Sequence, residues 1–318
     1  MTRYITMTRS ITLLDWNVEG GIHWEEAASW MAAQRPDVVF RQELRIRYAQ
    51  AEARRLGMMC HLGISRANMD RDNPKENAVF LRGDGPLDFF AEHPQSWAPW
   101  YAPAHVTVKT RDRDGTLSPR KMALVSGHAC HWSPLHRLVE AQWCSTLAQY
   151  GQLAIQWWDW NSYREGERDS ASWEGYEDHA YVANRTYLQG GQRITDDRPD
   201  RELRAAGYVE IARFAAEHRG QPEALRPASG YRERPGRPAG RRYCVDRGYL
   251  TAELAPAIVS AEVCDTPRLR QISDHLPHLA RLDYDTVRDI LHRSSPAYQP
   301  PTEEAPLTPV LDQPPASA

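Results

Sequence analysis

Short apolar runs, each ending in an acid, an amide or an imidazole, recur along the chain. Residues 10–18, Ser-Ile-Thr-Leu-Leu-Asp-Trp-Asn-Val, are β-rich and stop before Gly20-Gly21. Trp24 to Arg35 carries apolar residues at helical spacing, and Pro36 stops the helix. The pattern returns to a strand at Asp37 to Leu44, whose polar end is Gln42-Glu43. A helix over Ile46 to Leu56, closed by Gly57, leads to a strand over Met58 to Ile64. Further strands are predicted at Asn77 to Leu81, Lys121 to His128 and Gln152 to Trp158, with a helix from Leu135 to Tyr150.

Other stretches carry weaker periodicity. Phe89 to Val108, with three prolines, reads as an irregular wall, and residues 65–76 read as a polar loop. Between Ser162 and Arg242 only two helices stand out, at 201–206 and 211–218. Residues 226–242 set six arginines against the single acid Glu233, which predicts a flexible basic loop leading into a strand at Tyr243 to Val245. Strands follow at 247–254, 257–263 and 276–282, then a last helical turn at 286–291. The expected domain plan is an N-terminal extension at 1–10, one catalytic domain at 11–285 and a Pro-rich disordered tail at 286–318. Alternation of strands and helices also leaves a two-half arrangement open.

Composition changes this picture little. The 318 residues fit one large core, since single cores extend to about 250 to 300 residues. The net charge of -3 supplies no global field for nucleic acid. Five scattered cysteines form no Cys-x-x-Cys pair, which argues against a zinc knuckle and favours a reducing cytoplasm. No run approaches the roughly 20 apolar residues of a membrane span. Neither a membrane nor an obligate protein partner is implied.

The chemistry sits at the strand ends. Glu43 is a hard oxygen donor of the kind Mg²⁺ or Mn²⁺ prefers, or else a rim acid paired with Arg41 or Arg45. Asp159 and Asn161, two apart on a strand, can face one site, the first activating water and the second donating to phosphate; an Asx turn explains them equally simply. His128 and Asn17 can each contact phosphate or serve the local backbone. Asp246 can fix the tautomer of His275, and Asp274 can hold a metal or its water.

In order, Leu14-Asp15-Trp16-Asn17-Val18, Asp37-Val38-Val39-Phe40-Arg41-Gln42-Glu43, Asn77-Ala78-Val79-Phe80, Ser126-Gly127-His128, Asp159-Trp160-Asn161, Val245-Asp246-Arg247 and Ser273-Asp274-His275 resemble the motifs of the endonuclease/exonuclease/phosphatase superfamily. The resemblance spans about residues 11 to 283. It implies a four-layer α/β/β/α sandwich with two mostly antiparallel central sheets. It further implies Glu43 and Asp274 at the metal, Asn17, His128, Asp159 and Asn161 around the phosphate and water, and Asp246 as partner of His275. Two departures stand out: Arg41 replaces an apolar residue before Gln-Glu, and Trp157-Trp158 replace the glycine before Asp-x-Asn.

The function expected is hydrolysis of phosphate esters with Mg²⁺ or Mn²⁺, by in-line attack of water. DNA or RNA is the favoured substrate, with Trp100, Tyr101 and Trp158 stacking on bases and Arg241 and Arg242 following the backbone. A small soluble phosphoester, and a non-catalytic binding role or a fold reused for altered chemistry, are the alternatives.

Overall fold

The computed structural model describes residues 9–65, 74–95, 101–167 and 173–294. In chain order the first half runs β1 (Ser10–Asn17), α1 (Trp24–Ala33), β2 (Val38–Arg45), α2 (Ile46–Leu56), β3 (Met59–Gly63), β4 (Lys75–Leu81), β5 (Asp88–Glu92), β6 (Ala104–Lys109), β7 (Met122–His128) and α3 (Pro134–Ser145). Then follow β8 (Leu153–Asp159), α4 (His179–Arg185), β9 (Thr186–Gln189), β10 (Gln192–Thr195), α5 (Arg198–Ala205), β11 (Tyr208–Glu210) and α6 (Ile211–Arg219). The chain ends with β12 (Asp246–Thr251), β13 (Ile258–Val263), α7 (Pro267–Ile272), β14 (His278–Asp283) and α8 (Tyr284–His292). Local chemistry sets several boundaries. Ser133 and Thr266 cap α3 and α7 ahead of a proline, and Gly57 closes α2 at φ 64°.

Two six-stranded sheets form the centre, ordered β13-β14-β1-β2-β4-β3 and β11-β12-β8-β7-β6-β5. In each, the third and fourth strands are parallel and every other pair is antiparallel. The two halves therefore repeat one pairing plan. Helices α1, α2 and α7 cover the outside of the first sheet, and α3 and α5 the outside of the second. Between the sheets lies the largest apolar cluster, in which Leu13, Phe40, Leu124, Ile155, Leu250 and Leu282 meet. This is a four-layer α/β/β/α sandwich, stabilised chiefly by apolar surface hidden between the sheets.

Side chains alternate across each strand, so the inner face of a strand is read at every second residue. Each inner stripe changes from apolar to polar towards one rim. Leu13 is followed by Asp15 and Asn17, Phe40 by Gln42, Leu124 by Ser126 and His128, and Ile155 by Trp157 and Asp159. On β12 and β14, which run the other way, Asp246 and His278 stand at the same end. Helix α8 closes the opposite end, with Tyr284 N–H bonded to the Arg9 carbonyl.

The pleat also explains the two tryptophans. Trp157 faces the inter-sheet core, whereas Trp158 faces outward under α3. Trp158 lies opposite Gly127 on β7, and Trp157 opposite Gly248 on β12. A Cβ on Gly127 would stand 2.2 Å from the Trp158 ring, and one on Gly248 would stand 2.5 Å from Trp157. The volume taken up by two indoles is released by glycines on the neighbouring strands.

Several expectations need correction. The segment predicted as an irregular wall contains β5 and β6, with Val106 and Val108 packed into the core on alternate positions. Residues 162–242 hold α4 and the β9–β10 hairpin besides the two foreseen helices. Residues 243–245 form no strand; Tyr243 makes an isolated bridge to Ser229. The domain runs past residue 285, because Val287, Ile290 and Leu291 of α8 are buried in the inter-sheet core. The expected tail beyond residue 294 lies outside the described residues. No described helix is long and apolar enough to cross a membrane. All five cysteines are free thiols.

Candidate active site

The polar rim gathers all eight residues expected to act there into one connected group of contacts. Asp246 sits opposite Asp159 across the β8–β12 ladder, and Asp159 opposite His128 across β7–β8. His275 follows α7 in the loop before β14, and its Nδ1 lies 2.8 and 3.0 Å from the two Asp246 oxygens. Its Nε2 is left 4.0 Å from Asp159 Oδ2 and 4.0 Å from Asp274 Oδ1. Asn17 Nδ2 donates to Asp159 Oδ2 at 3.1 Å, and His128 Nε2 stands 3.5 Å from the same oxygen. Ser273 ties the His275 loop to β1 by donating to the Asn17 carbonyl at 2.8 Å.

Glu43 reaches the rim by a different route. Between Arg41 and Leu44, strand β2 carries two residues against one on β4, a β-bulge. Arg41 and Leu44 both turn outward, while Gln42 faces inward and Glu43 takes φ 55°. The bulge thus places two consecutive polar side chains at the site. Glu43 Oε1 lies 3.8 Å from His128 Nδ1, and Oε2 accepts from Lys75 at 2.5 Å. Arg41 does not enter the site: it is buried against Glu52 of α2 at 3.0 Å.

Asn161 departs from the simple pleat. Strand β8 ends at Asp159, and Asn161 has φ 50°, so the same-face argument does not position it. Its N–H donates to Asp159 Oδ1, its Nδ2 to the Ala129 carbonyl, and its Oδ1 accepts from Arg185 at 2.6 Å. Both ends of the amide are engaged, so it fixes Asp159 and Arg185 in place.

The expected substrate contacts fare unevenly. Tyr101 stacks on His128, centroids 5.2 Å apart, and Arg241 lines the adjoining cavity. Trp158 is 1% exposed in the outer core and offers no face to a ligand. Arg242 is turned away, donating to the Gly230 carbonyl and covering Tyr231. Trp100 lies outside the described residues. The basic loop folds over the rim, where Arg232 pairs with Glu19 and Arg234 with Asp274 and Glu19. Those acids come from distant segments, which is why counting acids within the loop missed them.

Electrostatics separates the roles. Burial opposes charge on His275, but Asp246, with Asp274 and Asp159, holds the imidazolium well above its usual pKa. Burial pushes Asp159 up, and His128, His275 and Arg185 outweigh it, leaving the carboxylate ionised. Burial likewise acts on Glu43, where His128 and Lys75 prevail and keep it low. Asp15 behaves oppositely. Fully buried and near Asp246, it is pushed well above the carboxylate range, and it accepts from Gln42 at 2.8 Å. Gln42 Nε2 also reaches Ser126 at 3.1 Å, linking the sheets under the site. Asp15 was legible two positions before Asn17; Lys75 and Arg185 carried no sequence signal.

The donor set bears on cation binding. Ligand atoms of Asp159, Asp246 and His275 lie within 4.8 Å of one another, but Asp246 is committed to the imidazole. Glu43 and Asp274 each keep one oxygen, Oε1 and Oδ1, outside the direct bonds to Lys75 and Arg234. Arg234 is raised chiefly by its bond to Asp274, with Glu19 and Glu43 adding to it. These hard, anionic oxygens suit a small divalent ion.

This architecture is the DNase I-like fold. Among solved structures, the chain resembles an AP endonuclease from Archaeoglobus fulgidus, at TM-score 0.56 and 17% identity over 86% of this chain and 99% of that one. It also resembles D. rerio TDP2 complexed with single-strand DNA product, at TM-score 0.55 and 16% identity over 86% and 98%. A mannosyl-6-phosphatase from Bacteroides thetaiotaomicron matches at TM-score 0.51 and 14% identity over 85% and 98%. No protein-family model and no curated protein matches the sequence.

Proposed function

We propose that the chain hydrolyses phosphate esters with the aid of Mg²⁺ or Mn²⁺. The observation that carries this is the line Asp246–His275–Asp159: a buried acid pins an imidazole whose free nitrogen faces an ionised carboxylate. Water adds to phosphorus as the ester P–O bond breaks, and in-line geometry puts the leaving oxygen opposite the water, where it takes a proton from solvent. Asp159 and His275 are only 4.0 Å apart, so they serve the same side. Asp159 accepts the proton of the water. His275, positively charged, donates to a nonbridging phosphoryl oxygen. Glu43 and Asp274 would hold the divalent ion, which when bound neutralises charge on the phosphoryl group.

A nucleic-acid substrate keeps only part of its sequence support. Trp158 is buried and Arg242 is engaged with Gly230 and Tyr231, which leaves Tyr101 and Arg241 among the described residues. The DNA product in the D. rerio TDP2 structure earns a DNA strand its place in any test. The purified protein is incubated with Mg²⁺ or Mn²⁺ and a panel of DNA, RNA, nucleotides and phosphomonoesters, with EDTA as control. Turnover that EDTA abolishes is the expected result. Absence of turnover on every substrate with either ion overturns the proposal.

A further inference from the structure

Beside His275 and Asn161 opens a cavity of about 250 Å³ whose walls come from the chain between β8 and β12 and from the His275 loop. Five arginines line it, Arg185, Arg232, Arg234, Arg237 and Arg241, against the two acids Glu233 and Asp274. Three of the five are already paired: Arg232 with Glu19, Arg234 with Asp274, and Arg237 with Asp178 at 3.3 Å. Arg185 and Arg241 make no ion pair among the described residues. Two guanidinium groups in one cavity, Arg241 without an ion pair and Arg185 offset only by the nearby Asp159 charge, can donate to an anion.

Arg185 is held there by a built framework. Arg137, fully buried, donates to the Asn184 carbonyl at 2.7 Å and pairs with Asp196 at 2.8 Å. Asp196 N–H in turn bonds the Arg185 carbonyl at 3.0 Å. The guanidinium itself donates to Asn161 Oδ1 and the His131 carbonyl and lies over the Tyr181 ring. Fixing an arginine this firmly next to a reacting centre lowers the entropy that ligand binding must overcome.

We infer that Arg185 and Arg241 form a subsite for a second anionic group, a phosphate or carboxylate, on a compact substrate whose ester phosphate sits at His275. This names the substrate class for the activity proposed above and rests on that reading for the position of the ester. The cavity is small and walled by the loop carrying Arg241, so it suits a doubly charged metabolite better than a polymer passing through.

Binding separates this inference from catalysis. Calorimetry in EDTA-containing buffer compares glucose 6-phosphate with glucose 1,6-bisphosphate, which adds a phosphate, and with 6-phosphogluconate, which adds a carboxylate. At least one doubly anionic probe should bind about tenfold or more tightly than glucose 6-phosphate, as charge-assisted hydrogen bonds to a guanidinium would give. Which of the two gains more identifies the second group. Arg241→Gln, in a surface loop, should remove the preference, and so should Arg185→Gln. Arg268→Gln, an equal charge change on the outer face beside Glu26, should leave it intact. Equal binding of all three probes, a preference that survives both cavity substitutions, or tighter binding of a short DNA strand than of either doubly charged probe would overturn the inference. Preference without turnover of any phosphoester would instead overturn the hydrolase reading and leave the subsite standing.

Discussion

The two sheets share one pairing plan but bring their polar groups to the rim differently. In the second sheet the pleat alone suffices: His128, Asp159 and Asp246 are cross-strand neighbours on three adjacent strands. In the first sheet Glu43 arrives through a bulge, a left-handed backbone and a buried Arg41–Glu52 pair that anchors the strand on α2. Regular geometry delivers Asp159, the proposed proton acceptor, and Asp246, which holds His275, whereas a distortion with its own support delivers Glu43, a carboxylate suited to a cation. The first arrangement should tolerate little change in its side chains, and the second little change in its foundations.

The largest expected effect breaks that foundation. Glu52→Ala strands Arg41 as an unpaired buried charge and should cost about 3–5 kcal/mol in denaturant unfolding. Arg41→Met with Glu52→Leu should recover most of it and retain turnover, since neither side chain touches the site. Loss of turnover in a stably folded double variant would show that the pair does more than hold the bulge.

On the regular side, where Asp246 of β12 holds the loop residue His275, His275→Ala should lower kcat by about 100-fold or more, as removal of a positioned proton donor does. Glu43→Gln should instead raise the Mg²⁺ or Mn²⁺ concentration needed for half-maximal rate. Identical kinetic signatures for the two variants would erase the distinction between the sheets.

A smaller effect tests the fit of the tryptophans. Gly127→Ala pushes a Cβ into the Trp158 ring and should destabilise the fold by about 1–3 kcal/mol. A second-site Trp158→Leu change should relieve the clash, and an unchanged melting temperature in Gly127→Ala would contradict the packing described.

The smallest effect is a slope. Glu140 accepts from Cys130 N–H, two residues beyond His128, and burial pushes it from 4.5 to about 8. Between those values the folded chain binds the proton more tightly than the unfolded chain, so this contribution to stability is lost as pH rises. Glu140→Gln should therefore flatten the fall in melting temperature between pH 5 and 8. Parallel profiles for the two proteins would show that Glu140 titrates normally.

The same contrast explains what could be read from sequence. Asn17 and Asp159 close strand-like runs and Asp246 opens one, so the pleat that positions them is written in local order. Glu43 was recognisable as a strand-end acid, but nothing in Arg41-Gln42-Glu43-Leu44 announces a bulge. Arg185 reaches the site through Arg137, Asp196 and Asn161, contacts spanning up to 59 residues that no local pattern encodes. By contrast, Val287, Ile290 and Leu291 stood at helical spacing in plain view; reading them as a single turn ended the domain too soon.

The claim that these scattered residues form one phosphoester-cleaving site is tested most directly by Asp159→Asn. The change keeps the size of the side chain and its place beside Asn17 and His275 while removing the carboxylate proposed to take the proton of water. Assayed with Mg²⁺ or Mn²⁺ on the best substrate of the wild-type protein, the variant should remain folded and lose turnover by about 100-fold or more. A folded variant that turns over at the wild-type rate would contradict the account.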